Sequence, residues 1–576
     1  MKASNFIANF LAKYSDYAFG GQGSSVVHIV DSIQKNKKIR LIPGQSEQGS
    51  SLAADAYYRT SKKIGVTIGT SGPGILNFLQ GMACSYFDSI PSLYIAGAPV
   101  TNHIRKNKKI RQIGFQEMEV QNLVKPICKY SKFVKRIEDL SYELEKCIFI
   151  AKDGRKGPTL IEIPDDISRL EMPKKIKSFK KKIKKTKKID LKKLSKLISR
   201  AKRPLIVIGN GCLQSNSIEG VKKFIRKYKI PYTASWACLH LFSTEDDYNF
   251  GSFGVAATRY GNFSIQTADL ILFLGTRLST QLIGGNPINF APKAKKVLVD
   301  IDKNEFTNHR LPKIDLKYNY DVKDFIQAMN KEKFKFNSSN IKIWKENIKK
   351  LKKEFPILIG NNKKNNKYVD PYYFFNLFYS NIDLNSIVIP DASANLIWAY
   401  QSLETKKSPK MFTAFNHSPM GYSLPASVGA ALGSNKKIYA MIGDGSVPMN
   451  VQELETIQNY NLNVLIFVIN NKGYGLIKQT QETWLKSNYA GVDKKSGLSL
   501  PDNCKIAKSY KIKNIILRNN NEVRTKISKI LKTRGPLLID VMIDPNSRVK
   551  PKIEYGKPLH DMYPYINRKE VNKIIK

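Results

Sequence analysis

The apolar run IYAMI ends in Gly443-Asp444-Gly445-Ser446, and a second run, NVLIFVI, ends in Asn470-Asn471, with the polar, helical-looking stretch NVQELETIQNY between them. If the two runs are neighbouring parallel strands, Asp444 and Asn471 aim a carboxylate and an amide oxygen at one point beyond the sheet edge. With a backbone carbonyl and diphosphate oxygens, such a pair gives the octahedral oxygen shell that magnesium favours. Gly445 lets the backbone come close to a diphosphate, and a helix behind it would offer N–H groups and a partial positive end. Read separately, Gly-Asp-Gly and Asn-Asn are ordinary turns. Their order and spacing together carry the signal.

Three segments alternate strand-like runs with helical patterns, so the expected fold is α/β, with three doubly wound parallel-sheet domains. The first spans 1–170 and contains IGVTIGT, SLYIAGAP and TLIEIP; the second, 190–330, contains PLIVIGNG, DLILFLGT and KKVLVDID. The third, 367–550, contains SIVIPDAS, KIYAMIGDG and NVLIFVINN, and 551–576 reads as a C-terminal tail. The lysine-rich run from Lys174 to Lys188 reads as a solvated linker, and the Lys- and Asn-rich stretch 331–366 as another connector.

Composition narrows the classes. A chain of 576 residues, 42% of them hydrophobic, builds several cores rather than one small module. The six cysteines (Cys84, Cys128, Cys147, Cys212, Cys238, Cys504) have no Cys-x-x-Cys spacing, which argues against both a disulfide framework and a zinc site. No stretch nears the roughly 18–20 apolar residues of a membrane span, and the N-terminus has no long apolar signal core, so a soluble cytoplasmic protein without a membrane partner is expected. The formal charge of +48 comes from lysines spread along the whole chain. The run after Pro173 has no interleaved aromatics to stack bases, so no nucleic-acid partner is expected.

The pattern Gly-Asp-Gly, then Glu453-Leu454-x-Thr456, a strand and Asn-Asn-x-Gly-Tyr-Gly resembles the thiamine-diphosphate signature, and nearly the whole chain is similar to acetolactate synthase large subunits. The resemblance implies thiamine diphosphate and Mg2+ as cofactors. It makes Asp444, Asn471 and the Gly473 carbonyl the metal ligands, with Gly443, Gly445, Ser446, Asn395, Gly473 and Tyr474 around the diphosphate. Ser46-Glu47-Gln48-Gly49 matches the family's Glu-Gln-Gly pattern, which makes Glu47 the carboxylate that exchanges a proton with the pyrimidine N1′. Ser71-Gly72-Pro73, Asn77 and Asp88-Ser89-Ile90-Pro91 match the pyrimidine side. Gln116 matches a substrate-facing glutamine, and Met420 a wedge that bends the cofactor, a core methionine being the alternative for Met420. In this family the site lies between subunits, which implies a homodimer or tetramer. The implied reaction is decarboxylation of a 2-keto acid, pyruvate first, and transfer of the two-carbon unit to an acceptor, as in branched-chain amino-acid biosynthesis.

The sequence also departs from the family. After Asn471 it reads Lys472-Gly473-Tyr474-Gly475-Leu476-Ile477-Lys478-Gln479-Thr480, with Thr480 where those enzymes place an acceptor-selecting tryptophan. A larger or more polar acceptor pocket follows, and Gly20 to Ser25 lacks the family's Pro-Gly-Gly-Ala. The middle domain resembles an FAD-holding domain at Gly251-Ser252-Phe253-Gly254, Arg277 and Asp300. The expected Gly-Met-His-Gly, however, is Gly254-Val255-Ala256-Ala257, and an Arg-x-Asp-Asp-Arg run is Arg277-Leu278-Ser279-Thr280-Gln281, so FAD is left open. Two alternative activities also stay open: acetyl transfer to a nucleotide-linked keto sugar, and simple 2-keto acid decarboxylation.

Overall fold

A computed structural model describes every residue except 108, 182–187, 308–309, 312, 357–366, 404–406, 568, 571–572 and 574–576. Three six-stranded parallel sheets follow one another along the chain. The first orders its strands Arg40–Ile42, Tyr17–Gly20, Gly65–Gly69, Ser92–Ala98, Pro158–Pro164 and Tyr130–Phe133. The third orders Lys410–Met411, Ile387–Pro390, Ile438–Gly443, Val464–Asn470, Leu537–Met542 and Lys513–Leu517, the same topology. The middle sheet runs Leu316–Tyr318, Lys295–Val299, Leu270–Leu274, Pro204–Ile208, Tyr232–Ala234 and Asn249–Ser252. Helices cover both faces of such sheets, which is why the central strands are continuous apolar runs rather than alternating ones. The doubly wound α/β fold expected from the sequence is the fold found.

Two stretches differ from their sequence reading. Within 331–366, a helix spans Ser338–Glu354. Its buried residues Ile341, Trp344, Ile348 and Leu351 fall at helical spacing, and the last three join the core of the middle sheet, while the lysines and asparagines that suggested a connector fill the other faces. The tail is also built in. Lys552–Ile553 and Met562–Tyr563 pair antiparallel, and Ile553, Leu559 and Met562 belong to the same middle core. Asn262 donates to the Leu559 carbonyl at 2.9 Å and Arg259 to the Met562 carbonyl at 3.0 Å. Of the lysine run, 182–187 lie outside the described residues.

The first and third sheets meet through equivalent helices, Glu47–Ser61 and Ser423–Leu432. They cross so closely that a Cβ on Gly429 would fall 1.8 Å from the Ala53 carbonyl oxygen. Beside the crossing lies a buried ion network. Arg59 donates to Asp55 at 2.7 Å and to Asp88 at 2.8 Å, and the Tyr422 hydroxyl donates to Asp55 at 2.6 Å. The Asp88 carboxylate also accepts the N–H groups of Phe415 at 2.9 Å and Asn416 at 3.2 Å. Burial disfavours the Arg59 charge, but the two aspartates outweigh it and hold the guanidinium protonated. Removing one member leaves an uncompensated buried charge. Arg59→Met is expected to cost about 3–5 kcal/mol of stability, read as an earlier urea midpoint; a midpoint unchanged from the parent would show that the network carries no such load.

Candidate active site

Gly443 and Ile469 pair in register, so the Gly443-Asp444-Gly445 and Asn470-Asn471 turns leave the third sheet side by side. The buried Asp444 carboxylate accepts N–H groups from Gly445 and Gly473, each at 3.0 Å. No ion pair reaches it among the described residues, and burial pushes its carboxyl up to about 7. A divalent cation would relieve that cost. Among the described residues, no group of three or more His, Cys, Asp or Glu side chains could hold a metal, so the available donors are this carboxylate, the Asn471 amide and backbone carbonyls. Asn395 points its Nδ2 towards Gly443, and its buried Oδ1 has no partner. Gly445 is required by packing: a Cβ there would sit 2.2 Å from the Tyr474 ring.

The helical-looking stretch NVQELETIQNY becomes a helix only from Glu453. Pro448 sits in a short 3-10 turn, Val447–Met449, and the helix Glu453–Asn459 follows. Buried Asn450, in the intervening turn, donates to the Gly421 carbonyl at 3.1 Å. The Asp391 carboxylate accepts N–H groups from Gly421 at 3.0 Å and Ser423 at 2.9 Å. The turn bearing half-buried Met420 is thereby pinned on both sides.

On the first sheet, Glu47 opens its helix. Ser46 Oγ caps the Gly49 N–H at 3.0 Å, and Asn77 donates to Glu47 Oε2 at 3.0 Å. The backbone of Gln116 lies against Gly72, where a Cβ would be 2.7 Å from the Gln116 carbonyl oxygen. The structure thus gathers Glu47, Gly72, Pro73, Asn77 and Gln116. Ser71 is held by its N–H on Ser25 Oγ at 3.1 Å, and Ser25 also bonds Thr70 Oγ1 at 2.8 Å. Ser25 therefore has a role in the loop that departs from the family pattern, a role its sequence gave no sign of.

Glu117 was also missed. Burial works to raise its pKa, but N–H groups of Ile113, Arg105 and Gly114 and the nearby Arg105 charge hold it below the usual range. The loop wound round this carboxylate presents Gln116 and an 81% exposed Phe115. Positive φ angles mark the same neighbourhood: Gln116 at 60°, Ser393 at 67°, Ser418 at 50° and Lys472 at 60° each lie at or within two residues of a candidate site residue. Strained backbone of this kind concentrates at functional loops.

The two groups are tied through their flanks. Gln48 donates to Asn450 at 3.1 Å, and Gln452 to Ser46 at 3.2 Å. Among the described residues, no hydrogen bond or ion pair joins Glu47, Asn77 or Gln116 to Asp444, Asn471 or Met420.

A cleft of about 800 Å³ opens at the carboxyl ends of the middle strands, lined there by Gly209, Gly211, Gly275, Arg277 and Asp300. It reaches the third sheet at Ser393, Ser418 and Leu476. Arg155 pairs with Asp302 at 3.0 Å and Glu305 at 2.8 Å, whereas Arg277 makes no salt bridge among the described residues. Burial raises Asp300 to about 6. Closely packed glycines, a free arginine and this volume fit a dinucleotide.

Comparison with known proteins identifies the family. Three thiamine pyrophosphate enzyme family models match: the N-terminal TPP binding domain over 1–123, the central domain over 191–329 and the C-terminal TPP binding domain over 391–541. The chain is a thiamine-pyrophosphate-dependent enzyme. It is 30% identical over 555 residues to the acetolactate synthase large subunit of Cyanidium caldarium, covering 94% of this chain and 92% of that protein. It is also 30% identical over 566 residues to chloroplastic acetolactate synthase 1 of Zea mays, covering 95% and 85% respectively. The chain belongs to the acetolactate synthase large-subunit family.

Gly49 supplies a test of the tie between the two groups. A Cβ there would fall 2.1 Å from Glu453 Oε1, a buried oxygen with no hydrogen-bond partner. Gly49→Ala should therefore overpack the seam by about 1–3 kcal/mol and lower the melting temperature; a melt matching the parent would mean that the seam yields freely.

Proposed function

We propose that the protein decarboxylates a 2-keto acid, pyruvate first, and joins the two-carbon unit to an acceptor, using thiamine diphosphate and Mg2+. The observation that carries this reading is the buried Asp444 beside Asn471 and Gly473 at paired strand ends, in a chain whose relatives are named acetolactate synthases. Bound thiamine diphosphate supplies a thiazolium carbon nucleophile that adds to the keto group and holds the charge left when CO2 departs.

The chain's own residues then have distinct tasks. Asp444, Asn471 and the Gly473 carbonyl hold the metal. Gly443, Gly445, Ser446, Asn395 and Tyr474 surround the diphosphate, and Met420 on its pinned turn shapes the cofactor. Glu47, steadied by Asn77, moves a proton at the pyrimidine N1′, with Ser71, Gly72 and Pro73 around that ring. Gln116 faces the substrate.

The absence of direct contact between Glu47 and Asp444, and the exposed Phe115, Ile113 and Leu76 around the Glu47 side, support a site completed by a second copy, in a homodimer or tetramer. In the middle cleft, Arg277 and the glycine backbones would hold the diphosphate of FAD, and Asp300 a ribose hydroxyl. Six buried, unpaired cysteines suit a reducing compartment such as the cytoplasm, and no described helix is long and apolar enough to cross a membrane.

Asp444→Ala should abolish metal-dependent retention of thiamine diphosphate, measured by equilibrium dialysis; retention at the parent level would remove Asp444 from the metal site. Because burial holds the metal-free carboxyl near 7, uptake by the parent should weaken as pH falls through that value. Glu47→Gln should bind cofactor but slow deuterium exchange at thiazolium C2 by orders of magnitude, since an amide cannot exchange the proton. Exchange at the parent rate would reject Glu47 as the activating group.

A further inference from the structure

The cleft has a side pocket of about 230 Å³ that the roles assigned so far leave unused. Val255, Gln281, Thr480 and Lys552 line both spaces and form their common wall. The far side is aromatic: Trp484 is 64% exposed and Tyr555 75% exposed, with ring centroids 6.5 Å apart and planes at 83°. Tyr555 rests on Gly285, where a Cβ would be 2.7 Å from its ring. Two large rings left open to solvent beside a cavity offer flat apolar faces to a ligand ring.

Lys552 supplies the charge. It is half-buried and forms no ion pair among the described residues. Glu554, on the same wall, is engaged with the Tyr565 hydroxyl. The lysine is also rigidly placed. Fully buried Gln401 donates to the Pro551 carbonyl at 2.8 Å and to the Ala256 carbonyl at 3.1 Å, and the Ile553 N–H donates to the Val255 carbonyl at 2.9 Å. Val255 and Ala256 lie in the stretch that replaces Gly-Met-His-Gly, and through their backbone carbonyls they tie the tail, and Lys552 with it, into the cleft wall. Burial without a compensating acid pushes the Lys552 ammonium below its usual pKa, which an anionic ligand would reverse.

We propose that this side pocket is the acceptor subsite and that it takes a 2-keto acid bearing a flat ring: carboxylate on Lys552, keto group turned towards Thr480, ring against Trp484 and Tyr555. The inference rests on the carboligase reading above. Thr480, a small residue that lines both spaces, stands on the helix Gly475–Trp484, directly after the metal-binding turn. The donor loses its carboxylate as CO2. The carbon–carbon bond then forms to the acceptor's keto carbon, whose oxygen takes a proton to become a hydroxyl, so no oxidant or reductant is consumed.

The test is ligation with pyruvate as donor and three acceptors: phenylpyruvate, 2-ketobutyrate, and benzaldehyde, which has the ring but no carboxylate. Phenylpyruvate should show a KM about tenfold or more below that of 2-ketobutyrate, the size of effect expected from one well-placed ion pair and ring contact. Lys552→Met should raise the phenylpyruvate KM by about the same factor, with Lys552→Arg restoring it and benzaldehyde indifferent to either change. Trp484→Ala should raise the KM for both ring acceptors and not for 2-ketobutyrate. Melting temperatures equal to the parent's establish that the variants are folded. An unchanged phenylpyruvate KM in a folded Lys552→Met enzyme that still makes ligated product overturns the subsite alone. Acetaldehyde as the sole product from every acceptor overturns the carboligase reading and the subsite with it.

Discussion

The close crossing of the helices Glu47–Ser61 and Ser423–Leu432 is the constraint on which the rest depends. Ala53 and Gly429 meet backbone to backbone, and the Arg59–Asp55–Asp88–Tyr422 network locks the crossing against sliding. One helix begins with Glu47 and the other follows the turn bearing Met420, so any shift at the crossing would move both. A hydrophobic contact alone tolerates small translations. A buried guanidinium shared between two carboxylates does not, because each displaced hydrogen bond leaves charge unpaired. The network is best understood as a device for registry rather than for stability.

The rigid crossing also explains where strain is stored. Gln116, Ser418 and Lys472 on loops, and Ser393 at the start of the helix Ser393–Gln401, hold left-handed backbone where the chain leaves the two outer sheets towards the proposed cofactor. Anchors beneath those loops carry the cost: Glu117 gathers three N–H groups, Asp391 two and Asp444 two. In each case a buried carboxylate is satisfied mainly by backbone, so it fixes main-chain shape and leaves the nearby functional side chain free to face a ligand.

Much of this was legible in the sequence. The central strands are apolar runs ending in Gly, Asp or Asn, and that pattern gave both the fold class and the positions of Asp444 and Asn471. Gly49 could be matched to a motif, but its physical reason, the Glu453 carboxyl lying against it, spans two domains and has no local signature. Ser25 was hidden because its partners Thr70 and Ser71 are remote in sequence, and Glu117 because a carboxylate that gathers N–H groups within its own loop has no residue pattern. The helix Ser338–Glu354 was obscured by composition: four core residues among many lysines look like a linker until their spacing is weighed. The tail carried only short apolar pairs, so its pairing and its delivery of Lys552 to the cleft emerged only in three dimensions. The shared topology of the outer sheets left no repeat to read.

Glu47 and Asp444 stand in two separate groups of one chain, and the proposed function has each group work against the complementary group of a second chain. Glu47→Gln and Asp444→Ala subunits, each inactive alone, should be dissociated, mixed and reassociated, and decarboxylation of pyruvate then measured. In a mixed dimer one site carries both lesions and the other carries neither, so random reassortment should return about a quarter of the parent activity. No recovery in a mixture shown by mass to contain mixed dimers would contradict the account, because it would place Glu47 and Asp444 of the same chain in the same site.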